Sequence, residues 1–267
     1  MRNILVVGMA IALLTCGMAA WAYPTLTGPT GQAVIPTANV AAPGLTLAAD
    51  WAKLQSGDSF PLRLLYAFGS NIEIGGTYDP FGSDAQVQDA RFGPIGLSRA
   101  WSVNGKFGLS KIAGGDLAVG GIFRRETMKS AFLPPTGDFD TDYTQAYLVW
   151  TDHLGYSYGK FSNFAFTLGG NWTKVSTDSA TGIDDSDAIR GFAGLGFTFS
   201  KDFAIEGDIQ TRASRVGDAK AMSAAVVRFG VTPAVVLEAG LTNALGLRGT
   251  NRHDIFIGAD FSTAMCK

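Results

Sequence analysis

Only two imidazoles occur in the 267-residue chain, His153 and His253, and they are the groups best suited to move protons near neutral pH. A serine hydrolase needs such a ring within hydrogen-bond reach of its nucleophile. Neither histidine has a serine beside it: His253 is flanked by Arg252 and Asp254, so a serine would have to come from another loop. Two acidic stretches offer oxygen ligands. Asp138-Phe139-Asp140-Thr141-Asp142 spaces its carboxylates at alternate residues, and a second run holds Asp178, Asp184, Asp185 and Asp187. The calcium-loop pattern, with Gly at its sixth position and a closing Glu, is absent from both, so they read as solvated loops. Histidine clusters and Cys-x-x-Cys pairs are also absent, so no metal site, haem or other cofactor is implied. No catalytic residues are assigned.

The elements that would carry these residues are legible from Trp101 to Phe123. Trp101, Val103, Gly105, Phe107 and Leu109 alternate with Ser102, Asn104, Lys106, Gly108 and Ser110. After Ala113-Gly114-Gly115 the alternation resumes with Leu117, Val119, Gly121 and Phe123. Successive side chains of a strand point to opposite faces. The stretch therefore predicts a β-hairpin with one apolar and one mostly polar face.

Residues 1–22 have the three parts of a secretory signal: Arg2, the apolar run Ile4 to Leu14, and the small-x-small site Ala20-Trp21-Ala22 before Tyr23. We expect cleavage after Ala22; lipidation at Cys16 is the rival, disfavoured by the bulky Thr15 before it. Cleavage removes one of two cysteines, Cys16, and leaves Cys266, so no intramolecular disulfide is available. With 21 basic and 23 acidic residues, the charge balance gives no reason to propose a nucleic-acid partner.

No run after the signal approaches the ~20 apolar residues of a membrane helix. If the chain crosses a membrane it must do so as a closed barrel, because open sheet edges in lipid leave backbone groups unsatisfied. The 34 glycines suit strands and turns better than long helices. About twelve strands are expected, each near the 9–11 residues of a tilted membrane strand. They fall near 45–54, 59–68, 71–78, 101–111, 116–125, 142–151, 163–175, 189–200, 203–211, 220–229, 234–242 and 254–262. Tight connections at Gly69-Ser70, Ala113-Gly114-Gly115, Ser200-Lys201-Asp202 and 230–233 alternate with long polar ones at 79–100, 126–141, 176–188, 212–219 and 243–253. Short turns at one end and long loops at the other match the periplasmic and extracellular ends of an outer-membrane barrel. Two connections break the rhythm: 55–58 is short where a long loop is expected, and 152–162 is long where a tight turn is expected.

Aromatic placement agrees. Trp51, Phe60, Tyr78, Trp101, Phe123 and Trp172 fall at the expected outer ends, and Trp150, Phe164, Phe203 and Phe261 at the inner ends, all in the apolar phase of their strands. Rings favour membrane–water interfaces, so these ten residues form the expected membrane girdles. A soluble sandwich has no reason to sort large aromatics to strand ends. The polar phase lists the expected lumen: Asp50, Arg63, Glu73, Lys106, Arg124, Arg190, Glu206, Asp208, Glu238 and Asp260, with Asn171. Strand 220–229 resists orientation, because Ala, Ser and Val occupy both phases.

Between signal and barrel, residues 23–43 contain Gly28-Pro29-Thr30-Gly31 and Ile35-Pro36-Thr37-Ala38, and their prolines argue against a central strand. The segment either enters the bore as a plug, covers its periplasmic mouth, or forms a loose leader. This motif, leading straight into an alternating barrel, resembles the N-terminal portion of YjbH-like outer-membrane proteins. That resemblance implies a role in exopolysaccharide production and export, with no catalytic residues to carry over.

The expected domains are thus a signal peptide at 1–22, a Gly/Pro/Thr-rich segment at 23–43 and an all-β, antiparallel transmembrane barrel at 44–267, located in the bacterial outer membrane. The His-x-Ser-Asn-Gly pattern of outer-membrane phospholipases is absent, and nothing fixes paired aspartates in protease geometry. The chain therefore reads as a non-enzyme: a narrow diffusion channel or an accessory of exopolysaccharide export, with a closed structural or adhesive barrel as the alternative and a lipid-modifying enzyme third. Expected partners are outer-membrane lipid, lipopolysaccharide facing outer arginines such as Arg99, Arg125, Arg212 and Arg252, and the barrel assembly machinery reading Ile255 to Phe261. The pattern sets no oligomeric state.

Overall fold

The computed structural model describes residues 23–26, 29–54, 57–82, 85–89, 93–129, 138–154, 163–179, 182–200, 202–212, 220–232, 234–245 and 248–263. The expected cleavage site after Ala22, Cys16 and Cys266 lie outside these residues. Among the described residues there are sixteen strands: β1 (Tyr23–Pro24), β2 (Thr30–Gly31), β3 (Gly44–Leu54), β4 (Gly57–Ser59), β5 (Leu62–Phe68), β6 (Ile72–Pro80), β7 (Gln86–Asp89), β8 (Gly93–Ile112), β9 (Gly115–Lys129), β10 (Asp138–Leu154), β11 (Asn163–Ser179), β12 (Gly182–Ser200), β13 (Phe203–Gln210), β14 (Met222–Thr232), β15 (Val235–Leu245) and β16 (Arg248–Ser262). Twelve of them, β3, β5, β6 and β8 to β16, form one antiparallel circuit. It closes where β16 pairs with β3, Ile257 opposite Trp51 and Phe261 opposite Leu47. The short β4 and β7 pair with the outer parts of β3 and β8.

Alternation sets the two faces, and the faces are inverted relative to a water-soluble protein. On β5, Leu62 and Leu64 are 52% and 47% exposed while Arg63 between them is 2% exposed. The same reversal runs through Ile72 and Ile74 about Glu73, and through Val103 and Phe107 about Lys106. An all-round belt of exposed Leu, Ile, Val and Phe is untenable in water and is what lipid requires. No helix of the described residues could cross a membrane.

The tight connection between β8 and β9 is a two-residue turn, with Ile112 opposite Gly115 and positive φ at both Ala113 (51°) and Gly114 (91°). Left-handed backbone at both central positions is the mirror-image turn whose twist matches paired strands.

Strand lengths correct one expectation. β8 has 20 residues, β12 has 19, and β10 and β11 have 17 each. They absorb much of the stretches expected as long outer loops: β11 and β12 leave only 180–181 between them. The membrane-length estimate failed because the strands continue past the lipid, where the outward face no longer has to be apolar and the alternation loses its lipid-facing half. The acidic stretches are accordingly strands, not loops. Asp140 and Asp142 lie on β10, where Arg125 of β9 binds Asp142 in a two-point contact of 2.6 and 2.7 Å. Asp178 lies on β11 and Asp184, Asp185 and Asp187 on β12.

Candidate functional site

Within the barrel, the inward phase brings charges from six consecutive strands to one level. Arg63 (β5) meets Asp50 (β3) at 2.6 Å, Glu238 (β15) at 2.8 Å and Asp260 (β16) at 3.6 Å. Arg228 (β14) meets Glu238 at 3.0 Å and binds Glu206 (β13). Elsewhere on the inner wall, Lys106 (β8) pairs with Glu73 (β6) at 3.0 Å, and Arg124 (β9) with Glu126 at 2.9 Å and Asp79 (β6) at 3.6 Å. Arg190 (β12) donates to Gln210 of β13. Asp208 (β13), like the others, is buried, and Glu206 is half-buried. Buried charges are costly unless paired and hydrogen-bonded, and this wall draws most of its partners from neighbouring strands; Asp260 is the exception, with neither carboxylate oxygen hydrogen-bonded.

The bore is filled by the chain's own N-terminal segment. Thr25, Gln32, Ala33, Val34, Ile35, Thr37, Ala38 and Ala41 are all buried. β1 and β2 pair within it, and Gly31 sits so tightly that a Cβ there would meet the Ile35 carbonyl oxygen at 2.1 Å and Thr25 at 2.5 Å. The wall holds the segment mainly by its backbone. The Val34 amide donates to Asp208 Oδ2 at 2.8 Å, the Ala38 amide to Thr151 Oγ1 at 2.9 Å and the Ala41 amide to Glu73 Oε2 at 3.1 Å. In return Arg63 donates to the Pro24 carbonyl at 2.6 Å, Arg228 to the Gln32 carbonyl at 3.4 Å, and Lys106 to the carbonyls of Thr37 (3.1 Å) and Asn39. Carboxylates thus receive backbone amides and cations receive backbone carbonyls, so these backbone groups of the segment are satisfied away from water.

Apolar packing completes the fit. Ala33 and Val34 join Ala52, Ile95, Leu97, Met128, Val226 and Phe256 in a cluster drawn from opposite sides of the wall. Lower down, Ile35 and Ala38 meet Tyr143, Tyr147 and Phe192. Those rings need bare backbone beside them: a Cβ at Gly120 would meet the Tyr147 hydroxyl at 2.3 Å, and one at Gly169 the Phe192 ring at 2.3 Å.

Sequence pattern missed Arg228, Glu126, Asp79 and these three inward aromatics. Met222, Ala224, Val226 and Arg228 share the buried phase of β14, which orients the strand left open above. The available signal was parity: Arg228 sits directly opposite Glu238 across the β14–β15 turn, so the two share a face.

Of the girdle residues, Phe60, Tyr78, Trp101, Trp172 and Phe261 are 37–50% exposed, while Trp51, Phe123, Trp150, Phe164 and Phe203 are half-buried. Several touch in pairs, Trp101 with Phe123 at 5.4 Å and Phe164 with Phe197 at 4.9 Å between centroids. The Trp150 indole donates to the Ile112 carbonyl at 2.8 Å.

Both histidines belong to strands rather than loops. His153, at the end of β10, contacts Asn39 of the segment at 2.9 Å. His253, on β16, lies 2.7 Å from Ser223 Oγ of β14, exposed on the outside of the barrel. The Ser223 amide donates to Asn243 Oδ1, and among the described residues no carboxylate is hydrogen-bonded to the other ring nitrogen. Among the described residues there is also no cluster of three or more His, Cys, Asp or Glu able to hold a metal.

These features define the fold of an outer-membrane β-barrel. The KdgM porin superimposes with a TM-score of 0.53 at 9% identity, covering 81% of this chain and 98% of that one. The translocator domain of the autotransporter NalP from Neisseria meningitidis gives 0.50 at 12% identity, covering 83% and 89%. The β domain of the Bordetella autotransporter BrkA gives 0.50 at 13% identity, covering 83% and 100%. At these identities the likeness is one of fold. No protein-family model and no curated protein matches the sequence, so neither supplies the YjbH-like type that the N-terminal motif implied.

Proposed function

We propose that the chain is a non-enzymatic outer-membrane channel of narrow bore, closed in this structure by its own residues 24–26 and 29–41. The observation that carries this reading is the way the wall holds the segment. Charged side chains that would line a water-filled path instead bind backbone amides and carbonyls of a segment that leads into β3. Displacing it exchanges those bonds for bonds to water and leaves a polar lumen. The outward apolar belt and the fold shared with porins support location in the outer membrane.

Proline lacks the amide that Val34 and Ala38 donate. Val34→Pro with Ala38→Pro should therefore unseat the segment, giving steady single-channel conductance in planar bilayers where the wild type is silent or brief in its openings. A double variant that stays folded, judged by migration on an unheated gel, yet never conducts would overturn the channel reading. It would favour the closed structural barrel, to which the cross-strand ion pairs of the wall already lend support. The narrower role of accessory in exopolysaccharide export rests on the Gly-Pro-Thr-Gly…Ile-Pro-Thr-Ala resemblance alone. A deletion strain with unchanged secreted polysaccharide would remove it.

A further inference from the structure

In the charge cluster around Arg63, carboxylates outnumber cations by four to two. Among the described residues, the cations paired with Asp50, Glu206, Glu238 and Asp260 are Arg63 and Arg228. Asp260 is 1% exposed, neither of its carboxylate oxygens has a hydrogen-bond partner, and Arg63 stands 3.6 Å from it. A buried carboxylate with both oxygens unsatisfied is costly, so its position calls for a further positive group. Every other carboxylate in the cluster has at least one short contact.

One candidate lies at the same place. Arg63, the hub of the cluster, also binds the Pro24 carbonyl at 2.6 Å, so the residue before it, Tyr23, begins beside these carboxylates. β1 also packs against β3, the strand that carries Asp50. Hydrolysis of the Ala22–Tyr23 bond would leave a carboxylate on Ala22 and an amine on Tyr23. That amine takes up a proton at neutral pH, its ordinary pKa being about 8. We propose that the α-ammonium of a chain beginning at Tyr23 supplies a further cation to this cluster, held by Asp260 with Asp50 inside the barrel. The cluster is then a binding site for a new N-terminus, and removal of the leader is what locks the segment in the bore. Before cleavage the position of that charge is an amide, which cannot neutralise Asp260. This inference rests on the segment's role as a plug and on cleavage after Ala22.

Folded protein purified from outer membranes is treated with an amine-acetylating reagent at neutral pH, and acetylation of the first residue is followed by mass spectrometry. N-terminal sequencing should read Tyr23, and its amine should react at least about tenfold more slowly in the folded barrel than in the heat-unfolded chain, since reaction requires local opening. Asp260→Asn should abolish most of that protection while the barrel still shifts on boiling. Insertion of Gly-Ser between Ala22 and Tyr23, which carries the amine away without altering the wall, should do the same. A different first residue, an amine that reacts at the unfolded rate, or protection that survives Asp260→Asn would each overturn the proposal. So would calcium or sodium raising the melting midpoint of wild type but not of Asp260→Asn, which would assign the site to a metal ion. Labelling does not depend on current: a protected amine in a barrel that never conducts upholds the latch and sinks only the channel, and a conducting barrel with a reactive amine does the reverse.

Discussion

Arg228 holds carboxylates from two different strands, Glu206 on β13 and Glu238 on β15, while also donating to the segment at Gln32. Removing one partner of a buried pair leaves an uncompensated charge, at a cost of about 3–5 kcal/mol. Arg228→Ala should lower unfolding stability in detergent by roughly that amount. Glu238→Gln should cost less, because Arg228 keeps Glu206 and Arg63 keeps Asp50. A loss below about 1 kcal/mol for Arg228→Ala would mean that water reaches this level of the bore. On the outside, the Ser223–His253 contact has the geometry of a nucleophile and base but lacks a carboxylate to orient the ring. Neither wild type nor Ser223→Ala should hydrolyse a long-chain p-nitrophenyl ester above buffer. Hydrolysis lost in Ser223→Ala would overturn the non-enzymatic reading. Individual charges were legible wherever one face was plainly apolar, as at Arg63 between Leu62 and Leu64. Arg228 was not, because Met222, Ala224 and Val226 share its face while Ala225 and Val227 occupy the other, leaving alternation without contrast.

The β8–β9 turn shows an element whose position the pattern located and whose strain it did not. Ala113 adopts φ 51°, a region that disfavours a Cβ by roughly 1–2 kcal/mol. Glycine there removes the strain and adds unfolded-state entropy worth about 0.4–1 kcal/mol against it. Ala113→Gly should therefore stabilise the barrel by roughly 0.5–1 kcal/mol in urea titrations of refolded protein; destabilisation would show that the turn gains from the alanine side chain. Gly115 next to it tolerates no such change, since a Cβ there would meet the Trp150 indole at 2.5 Å. Strand centres were legible because lipid forces strict alternation between the girdles. Strand ends were not, because the outer parts of β8 to β12 leave the lipid, and hydrogen-bonded pairing such as Asp140 with Thr127 continues there without an outward apolar face. The N-terminal segment was legible only as a non-strand, since proline and glycine reveal where a ladder cannot form but not where the chain goes instead.

At the scale of the whole molecule, the inverted faces decide how it must respond to an exposed charge. Leu148 on β10 is 52% exposed, opposite Val119 and Gly170. It lies between Trp150 toward the inner end and Thr144, which pairs with Phe123 toward the outer end. The six residue steps from Thr144 to Trp150 span about 20 Å of strand, close to the apolar band of a membrane barrel, so Leu148 sits well inside it. In a soluble protein an exposed Leu→Arg change is worth within about 0.5 kcal/mol. In lipid near the midplane arginine costs about 2–4 kcal/mol, and the cost falls toward the interfaces. Leu148→Arg should destabilise the barrel by about 2–4 kcal/mol in lipid vesicles. Lys53→Arg, at an exposed position beyond Trp51 that already carries a charge, should change stability by less than 0.5 kcal/mol. The lumen makes the complementary prediction, because its carboxylates outnumber its cations once Asp79, Glu126 and Asp208 are counted with the Arg63 cluster. The Val34→Pro, Ala38→Pro channel should prefer potassium over chloride in reversal-potential measurements under a salt gradient. The preference should weaken at high salt as screening shortens to about 3 Å near 1 M. An anion preference would mean that the acids stay paired with wall arginines after the segment leaves, and that the permeation path runs past Lys106 and Arg190 instead.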